Sequence, residues 1–438
     1  MMTDLKSTVD LVIGLIKQAG IGEYEAQIGA ASGISTAVRL QQVESLQKHL
    51  SQSFVISVYN GGKKGSASSV DLSKQGLAQA IEAAKTIAKY TSDDPFIGLA
   101  DADKMAWQLP DLDLYYPWQL DAKHSIEMAK CCESAALDEQ DIDNSEGAQL
   151  SSVEHQSYYL NATGLVAYAQ HSSHTLSCSV IAQGKDEMQT AYDYDSVLDK
   201  NDLVQPQTIG SQAAIRARAK LAAGKLNSQK CAVVFSAELS ASLLSTFFAA
   251  ISGRRQYTKN TFLLNQQGKQ VFPQWLDIEE IPHAKKTIGA SAYDSDGVAT
   301  QRKFIIKNGC LETYLLGQYA ANQLGLETTA NADGVHNCVI SHNAKDQQAL
   351  LRQMDKGVLV TELMGQGVNL TTGNYSRGAA GFWVEGGRIQ HPLSGFTIAG
   401  ILPEMFQRIV AVGADIDRRK TIKCGALLID QMTIAGNH

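Results

Sequence analysis

Proline is scarce in this sequence and glycine is not: 8 Pro stand against 36 Gly over 438 residues. Chain reversals therefore fall to glycine turns and close backbone approaches, which suits a strand-rich α+β protein. The 7 Cys are odd in number and spread over a long chain. That excludes a disulfide framework and leaves reduced thiols. Long apolar runs are also missing. The N-terminal stretch MMTDLKSTVDLVIGLIKQAG is interrupted by Asp4, Lys6, Asp10 and Lys17, so it reads neither as a signal peptide nor as a membrane span, and a cytoplasmic location is expected. Nor do cations gather. Net charge is −7 with a pI near 5.8, and Lys and Arg are dispersed except for short groups such as Arg254-Arg255 and Arg418-Arg419-Lys420. Phosphate-driven nucleic-acid binding is disfavoured, because it depends on many cations on one surface.

What is present is an ordinary globular composition, 44% hydrophobic and 19% charged, which is too apolar for a disordered chain. At roughly 100–200 residues per domain, the length predicts two domains or more. Apolar residues at Leu5, Val9, Val12, Ile13 and Ile16 predict a helix over 4–19. The period then changes. YEAQIGAA, STAVRL, QQVESLQKHL and SFVISVYNGGKKGSASSVDL read as strands joined by short turns, with Asn60-Gly61-Gly62 a hairpin signal. Asp71 or Ser73 caps an expected helix over 74–90, and a second helix runs through DAKHSIEMAKCCESAALD. Strands follow over 147–183, turning at Asn161-Ala162-Thr163-Gly164. A helix from Ile209 to Ala223, stopped by Gly224, leads out of the first domain. The expected division is residues 1–225 and 226–438, the second opening with the strand CAVVFS and continuing as glycine-punctuated strands.

Several segments tempt a site. ELMGQGVNLTTGNYSRGAAGFWVEGGRIQ is glycine-rich but lacks the Lys-Ser/Thr ending of a phosphate loop and its strand-to-helix context. It reads instead as strands with bulges and a hairpin at VEGGRI. His171, His174 and Cys178, like His336, Cys338 and His342, match no familiar zinc spacing. On a strand His171 and His174 face opposite sides. Cys131-Cys132 reads as helix-borne buried thiols. No Gly-x-Ser-x-Gly elbow supports a serine triad, and GASAYDSDG reads as a turn.

One helix stands out. At about 100° per residue, residues 238–252 place Leu239, Leu243, Leu244, Phe247, Phe248 and Ile251 on one half-circle, with Ser240 the polar exception. Ser242, Ser245, Thr246, Ala249 and Ser252 line the other. Ser236 is the expected N-cap, Glu238 sits near the positive end of the helix dipole, and Gly253 is the expected stop. A solvated face carries Lys, Glu or Gln. This one carries small groups, which points either to burial between two layers of its own domain or to a face against a partner or ligand.

NGGKKGSASSVDLS, FLLNQQGKQVFPQWLDIEE, YDSDGV, TELMGQGVNLTTGNYSRGAAGFWVEGGRIQHPLSGFTIAG and IKCGALL together resemble the PmbA branch, also called TldE, of the TldD/PmbA family, over nearly the whole chain. The resemblance implies a two-domain α+β fold and a subunit that joins a TldD-like partner in a peptide-cleaving metalloprotease. Maturation of microcin-type peptides and breakdown of unfolded antitoxins are the associated roles. An older family label, modulator of DNA gyrase, implies a DNA-transaction factor instead.

The family's catalytic branch carries His-Glu-x-x-x-His on a helix, and a Cys near the C-terminus supplies a further metal ligand. Five residues of regular helix leave the two His about 140° apart, so that motif needs a local distortion such as a π-bulge. In register it falls on STFFAA here: Ser245 stands for the first His, Thr246 for the Glu, Ala250 for the second His. Cys424 matches the remaining ligand, but one thiolate does not hold a catalytic zinc, which needs three protein ligands. The resemblance thus implies no catalytic residue and no cofactor bound by this chain, with Zn or Fe in the TldD-like partner. An unfolded or extended peptide is the expected substrate, and a homodimer is one open alternative when the partner is missing. The competing expectations are a hydrolase active alone through an unrecognised site near His336, Cys338 and His342 or near Cys424, and a DNA-gyrase modulator.

Overall fold

The computed structural model describes residues 5–436. The chain opens with α1 (Leu5–Gln18), β1 (Glu23–Arg39), β2 (Gln42–Asn60), β3 (Lys63–Ser69) and α2 (Lys74–Tyr90). Next come α3 (Ala122–Leu137), β4 (Ile142–Asn161), β5 (Val166–Gln183), β6 (Met188–Val197) and α4 (Pro206–Arg218). The strands make one antiparallel sheet in the order β3-β2-β1-β4-β5-β6. Helices α1 and α2 bury Val12, Ile16, Leu77 and Ile81 against Phe54 and Ile56. Helices α3 and α4 bury Cys132, Ala136, Ala213 and Ala217 against Leu150 and Leu176. Their small residues allow close approach: a Cβ on Gly210 would lie 1.9 Å from the Cys132 carbonyl oxygen.

The strands are fewer and longer than the sequence predicts. YEAQIGAA and STAVRL are one strand, because Gly33 is not a turn: a Cβ there would meet the Ser152 carbonyl oxygen at 2.2 Å, so glycine serves close contact with β4. The real reversal is at Leu40-Gln41, both at positive φ (47° and 62°). Glu133 of α3, fully buried, holds that strained turn by accepting from Leu40 N (2.8 Å), Gln41 N (2.8 Å) and Gln41 Nε2 (3.1 Å). The hairpin at Gly61-Gly62, the turn after Asn161 and the Ser73 cap on α2 form as expected. Helix α4 differs: it begins at Pro206 and ends at Arg218, and Gly224 bonds to Pro392 instead of stopping it.

The second half begins with β7 (Gln229–Phe235), α5 (Ala237–Ala250), α6 (Gly253–Tyr257), β8 (Ile278–Glu280), β9 (Lys303–Lys307) and β10 (Cys310–Leu311). It continues with α7 (Gln318–Leu324), β11 (Cys338–Ile340), α8 (Gln347–Met354), β12 (Gly357–Met364), β13 (Val368–Asn369) and β14 (Asn374–Glu385). Last are β15 (Arg388–Ile401), α9 (Leu402–Gln407), β16 (Ile409–Val412), β17 (Ile422–Lys423) and β18 (Leu427–Ala435). The three short helices α7, α8 and α9 break what the sequence suggested was strand throughout. One sheet runs β10-β9-β8-β11-β17. In the other, β12 pairs with β7, β7 with β18, β18 with β15, β15 with β14, and β14 again with β12, so the hydrogen-bonded path closes on itself. The VEGGRI hairpin turns at Gly386-Gly387.

Helix α5 is fixed to this ring by its apolar half. Leu243, Leu244, Phe247 and Phe248 are buried with Val233, Val358 and Ile398, each worth roughly 1.5–3 kcal/mol of transfer free energy. Phe247, Phe272 and Phe406 pack with ring centroids 5.0 Å (247–272), 6.0 Å (247–406) and 5.0 Å (272–406) apart.

Candidate functional site

Helix α5 is regular from Ala237 to Ala250. Its cap residue Ser236 has the extended backbone of an N-cap, but its side chain makes no capping bond. Gly253 does not stop the helix; it opens α6, where a Cβ would meet Ala320 at 2.5 Å and Leu316 at 2.7 Å. The first turn is anchored electrostatically. Glu238 pairs with Arg216 of α4 at 2.7 Å and Arg419 at 3.0 Å, and Arg419 also pairs with Asp417 at 2.7 Å. Burial alone would raise Glu238, but the Arg216 and Arg419 bonds outweigh it and hold the carboxyl below its usual range.

The three motif positions separate in space. Ser245 is exposed, Thr246 half-buried and Ala250 fully buried in the core. Both hydroxyls bond backward along the helix, Ser245 Oγ to Ser242 O at 2.7 Å and Thr246 Oγ1 to Leu243 O at 2.6 Å. The Ala250 carbonyl accepts from Thr261 Oγ1 and Gln256 Nε2, closing that end of the helix. Cys424 is fully buried against the other side of α5, within hydrogen-bond reach of Ser240, and burial pushes its thiol up, away from the thiolate a metal needs. Two back-bonded hydroxyls, a methyl group in the core and a protonated thiol do not fit a metal ion. Among the described residues, no group of three or more His, Cys, Asp or Glu is arranged to hold one.

The other cysteine and histidine candidates are dispersed. His174 is buried with both ring nitrogens used, Nδ1 with Ser152 Oγ at 2.9 Å and Nε2 with Tyr116 O at 2.9 Å. His171 faces the opposite side and stacks on His155, centroids 4.5 Å apart. Cys178 packs against Cys132, whose thiol is raised first by that contact and then by burial. Cys338 is in the core, His336 is buried nearby and His342 is exposed, so these three do not converge.

The small-residue side of α5 is not sealed between two layers. A cavity of about 520 Å³ opens on it, walled by Ser245, Ala249 and Ser252 and across from them by Asp296, Asn331 and Ile422. Asp296 is raised by burial and accepts from Gln318 N at 2.7 Å. With Asn331 on the same wall, this carboxyl gives the cavity hydrogen-bonding capacity. At the other end of the helix a cavity of about 590 Å³ is lined by Glu238, Leu239, Arg216, Lys220 and Met364. A further cavity, about 770 Å³, lies away from α5, between Tyr158 and Tyr168 of the first sheet and the 290–295 loop. It holds no residue that the motif register points to. Sequence reasoning missed Arg377, which faces α5 from β14 and whose Nη1 lies 3.5 Å from Ser242 Oγ. The available signal was parity: a cation at an inward position between Tyr375 and Ala379, both buried.

Comparison with known proteins places this arrangement. The PmbA/TldA metallopeptidase C-terminal domain matches residues 228–436, the central domain residues 115–221 and domain 1 residues 24–88. The chain is 41% identical to a metalloprotease PmbA homolog of Haemophilus influenzae, over 99% of this chain and 96% of that one. It is 42% identical to the metalloprotease PmbA of Escherichia coli, over 94% and 92%. Metalloprotease TldD homologs match only about a third of the chain, at 24% identity for that of Haemophilus influenzae. A crystal structure from Bacteroides thetaiotaomicron, described as a candidate modulator of DNA gyrase, superposes with a TM-score of 0.94 at 28% identity, covering 100% of both chains. TldE from Thermococcus kodakarensis superposes at 0.82 and 20% identity, covering 97% of this chain and 100% of that one, which shows the shared fold.

Proposed function

The chain belongs to the PmbA/TldD metallopeptidase family, and from that membership we propose that it is the non-catalytic PmbA/TldE-type subunit of a two-component peptidase. The observation that carries this reading is α5. At the three motif positions the side chains are Ser245, Thr246 and Ala250, two of them bonded to their own helix and one packed in the core. Polarising a scissile carbonyl and activating water then falls to a TldD-like partner holding zinc or iron. This chain contributes walls: the cavity along the small side of α5 shapes which unfolded or extended peptides reach the partner's metal. Microcin-type precursors and unfolded antitoxins are the substrate classes in view. Among the described residues no helix is long and apolar enough to cross a membrane, and the reading places the complex in the cytoplasm.

The test compares cleavage of an unfolded peptide by this chain, by a TldD-like partner and by both, after co-purification. Cleavage that needs the partner, and that changes in rate or site choice when this chain is added, is expected. Comparable metal-dependent cleavage by this chain alone overturns the reading.

A further inference from the structure

The two hydroxyls on the cavity side of α5 are left as acceptors. Ser245 Oγ donates its proton to Ser242 O at 2.7 Å, and Ser252 Oγ donates its proton to Ala249 O at 2.9 Å. A carbonyl oxygen only accepts, so both protons are committed to the helix and lone pairs are what remains on each oxygen. Both residues line the cavity of about 520 Å³, as does Ala249 between them, whose methyl group leaves room for a main chain to approach. That volume lies within the range of small-ligand pockets.

The facing wall adds a carboxylate. Asp296 lines the same cavity and is half-buried; its Oδ2 accepts from Gln318 N at 2.7 Å, while its Oδ1 has no partner among the described residues. No Lys or Arg among them lies in ion-pair range of either oxygen. Burial raises Asp296 most, the Gln318 bond offsets part of that, and the charges of Glu25 and Asp333 raise it further. Lys64, which lowers it, is held by Glu25 at 3.0 Å. Arg254 is the one cation on the cavity wall, and its exposed side chain makes no ion pair among the described residues. The cavity therefore offers an open carboxylate oxygen and two hydroxyl acceptors, with no counter-charge in place. A metal ion needs more converging ligands than this, and neighbouring Asp294 has spent its oxygens on the N–H groups of Asp296, Val298 and Ala332. An ammonium group brings three donors and needs only acceptors.

We propose that Asp296, with the Ser245 and Ser252 hydroxyl oxygens on the facing wall, forms an ammonium-binding site that holds the N-terminal amine of an extended peptide lying in the cavity beside α5. The site rests on the reading that this chain handles peptides, but it is tested by binding, without cleavage. An Ala/Ser tetrapeptide carrying fluorescein on a C-terminal Cys amide is titrated into the isolated chain with fluorescence anisotropy as readout. Its N-terminus is free in one form, acetylated in a second, and acetylated with Lys as the first residue in a third. The free amine is expected to bind about tenfold tighter than either acetylated form. Asp296→Asn should erase that difference, and Ala249→Leu, which fills the cavity, should weaken binding of the free-amine peptide at least tenfold. Melting separates this from a structural role. Asparagine keeps a carbonyl oxygen for Gln318 N and removes a partly buried charge that has no counter-charge, so unliganded Asp296→Asn is expected to melt at or above the wild-type temperature. Equal binding of free and acetylated peptide, no binding of either, or an unchanged preference in Asp296→Asn overturns the site. Undiminished binding to Ala249→Leu overturns its place in the cavity, and an acetylated Lys peptide that binds as tightly as the free amine overturns its assignment to a chain terminus. If the ammonium site fails while cleavage still depends on both subunits, the subunit reading stands; preferred binding without partner-dependent cleavage does the reverse.

Discussion

Restoring the motif by Ser245→His, Thr246→Glu and Ala250→His should not restore a metal site, and the reason can be worked from α5. Ser245 is exposed, so a histidine there is tolerated within about 0.5 kcal/mol. Ala250 is 0% exposed in the core that holds Phe247 and Leu315. An imidazole there overpacks a filled site, at about 1–3 kcal/mol, and leaves its ring nitrogens unpartnered, at about 1–3 kcal/mol more. The combined cost is on the order of 2–6 kcal/mol. A metal would have to repay it, yet the two histidines would diverge by about 140° on a regular helix. Cys424 adds no ready ligand, because burial holds its thiol protonated. The expected result is a lowered melting temperature in the triple variant, little change in Ser245→His alone, and well under one equivalent of zinc retained after dialysis by elemental analysis. One tightly held equivalent, with the melting temperature recovered when zinc is added, would refute the reasoning and show that α5 can re-form a bulged ligand helix.

Further outcomes follow from contacts elsewhere. Glu133→Gln should destabilise the chain by about 1–3 kcal/mol in chemical denaturation, because a neutral amide cannot accept all three bonds that hold Leu40 and Gln41 at positive φ; a change within error would mean the turn holds itself. Gly297→Ala should cost at least about 1–2 kcal/mol, since φ is +76° and the new Cβ would lie 2.3 Å from the Tyr159 ring; an unchanged melting temperature would show that Tyr159 moves freely. Acid should loosen the start of α5. Glu238 and Asp417 are both raised by burial and lowered further by their arginine partners, so both sit below their usual range. Their contribution is fully present above the unfolded values, about 3.9–4.3, and is lost as pH falls through the depressed folded ones. Melting temperatures measured from pH 6 down to 2.5 should fall less steeply in a Glu238→Gln, Asp417→Asn double variant, and an identical acid slope would contradict the assignment.

Elements with strong local chemistry were legible in the sequence. The double-glycine turns at 61–62 and 386–387 adopt positive φ, Ser73 caps α2, and the apolar half of α5 faces the core. What failed were residues whose role depends on a distant chain segment. Gly33 and Gly253 look like punctuation, but both serve close packing, one against β4 and the other against Ala320. The short helices α7, α8 and α9 span 7, 8 and 6 residues, too few for a periodicity window of about 11–18 to register. Within the candidate site, the register assigns the motif to Ser245, Thr246 and Ala250, whereas the opposed fates of Ser245 and Ala250 required the packing around them.

The contrast between satisfied and unsatisfied groups bears on what α5 is for. Elsewhere this chain supplies its buried charges generously: Glu133 receives three N–H groups, Asp294 receives those of Asp296, Val298 and Ala332, and Asp417 receives the Arg419 fork. The small side of α5 is different. The helix presents Ser245 and Thr246, whose hydroxyls turn back on their own backbone, and Ala249, and a cavity of about 520 Å³ opens on that side. A face meant only for packing would have been filled with apolar side chains, as the opposite half of the same helix is. A face meant only for water would carry long charged ones. Small groups beside an open cavity leave volume next to the helix, and the backbone of an extended peptide, as in the proposed function, would use it.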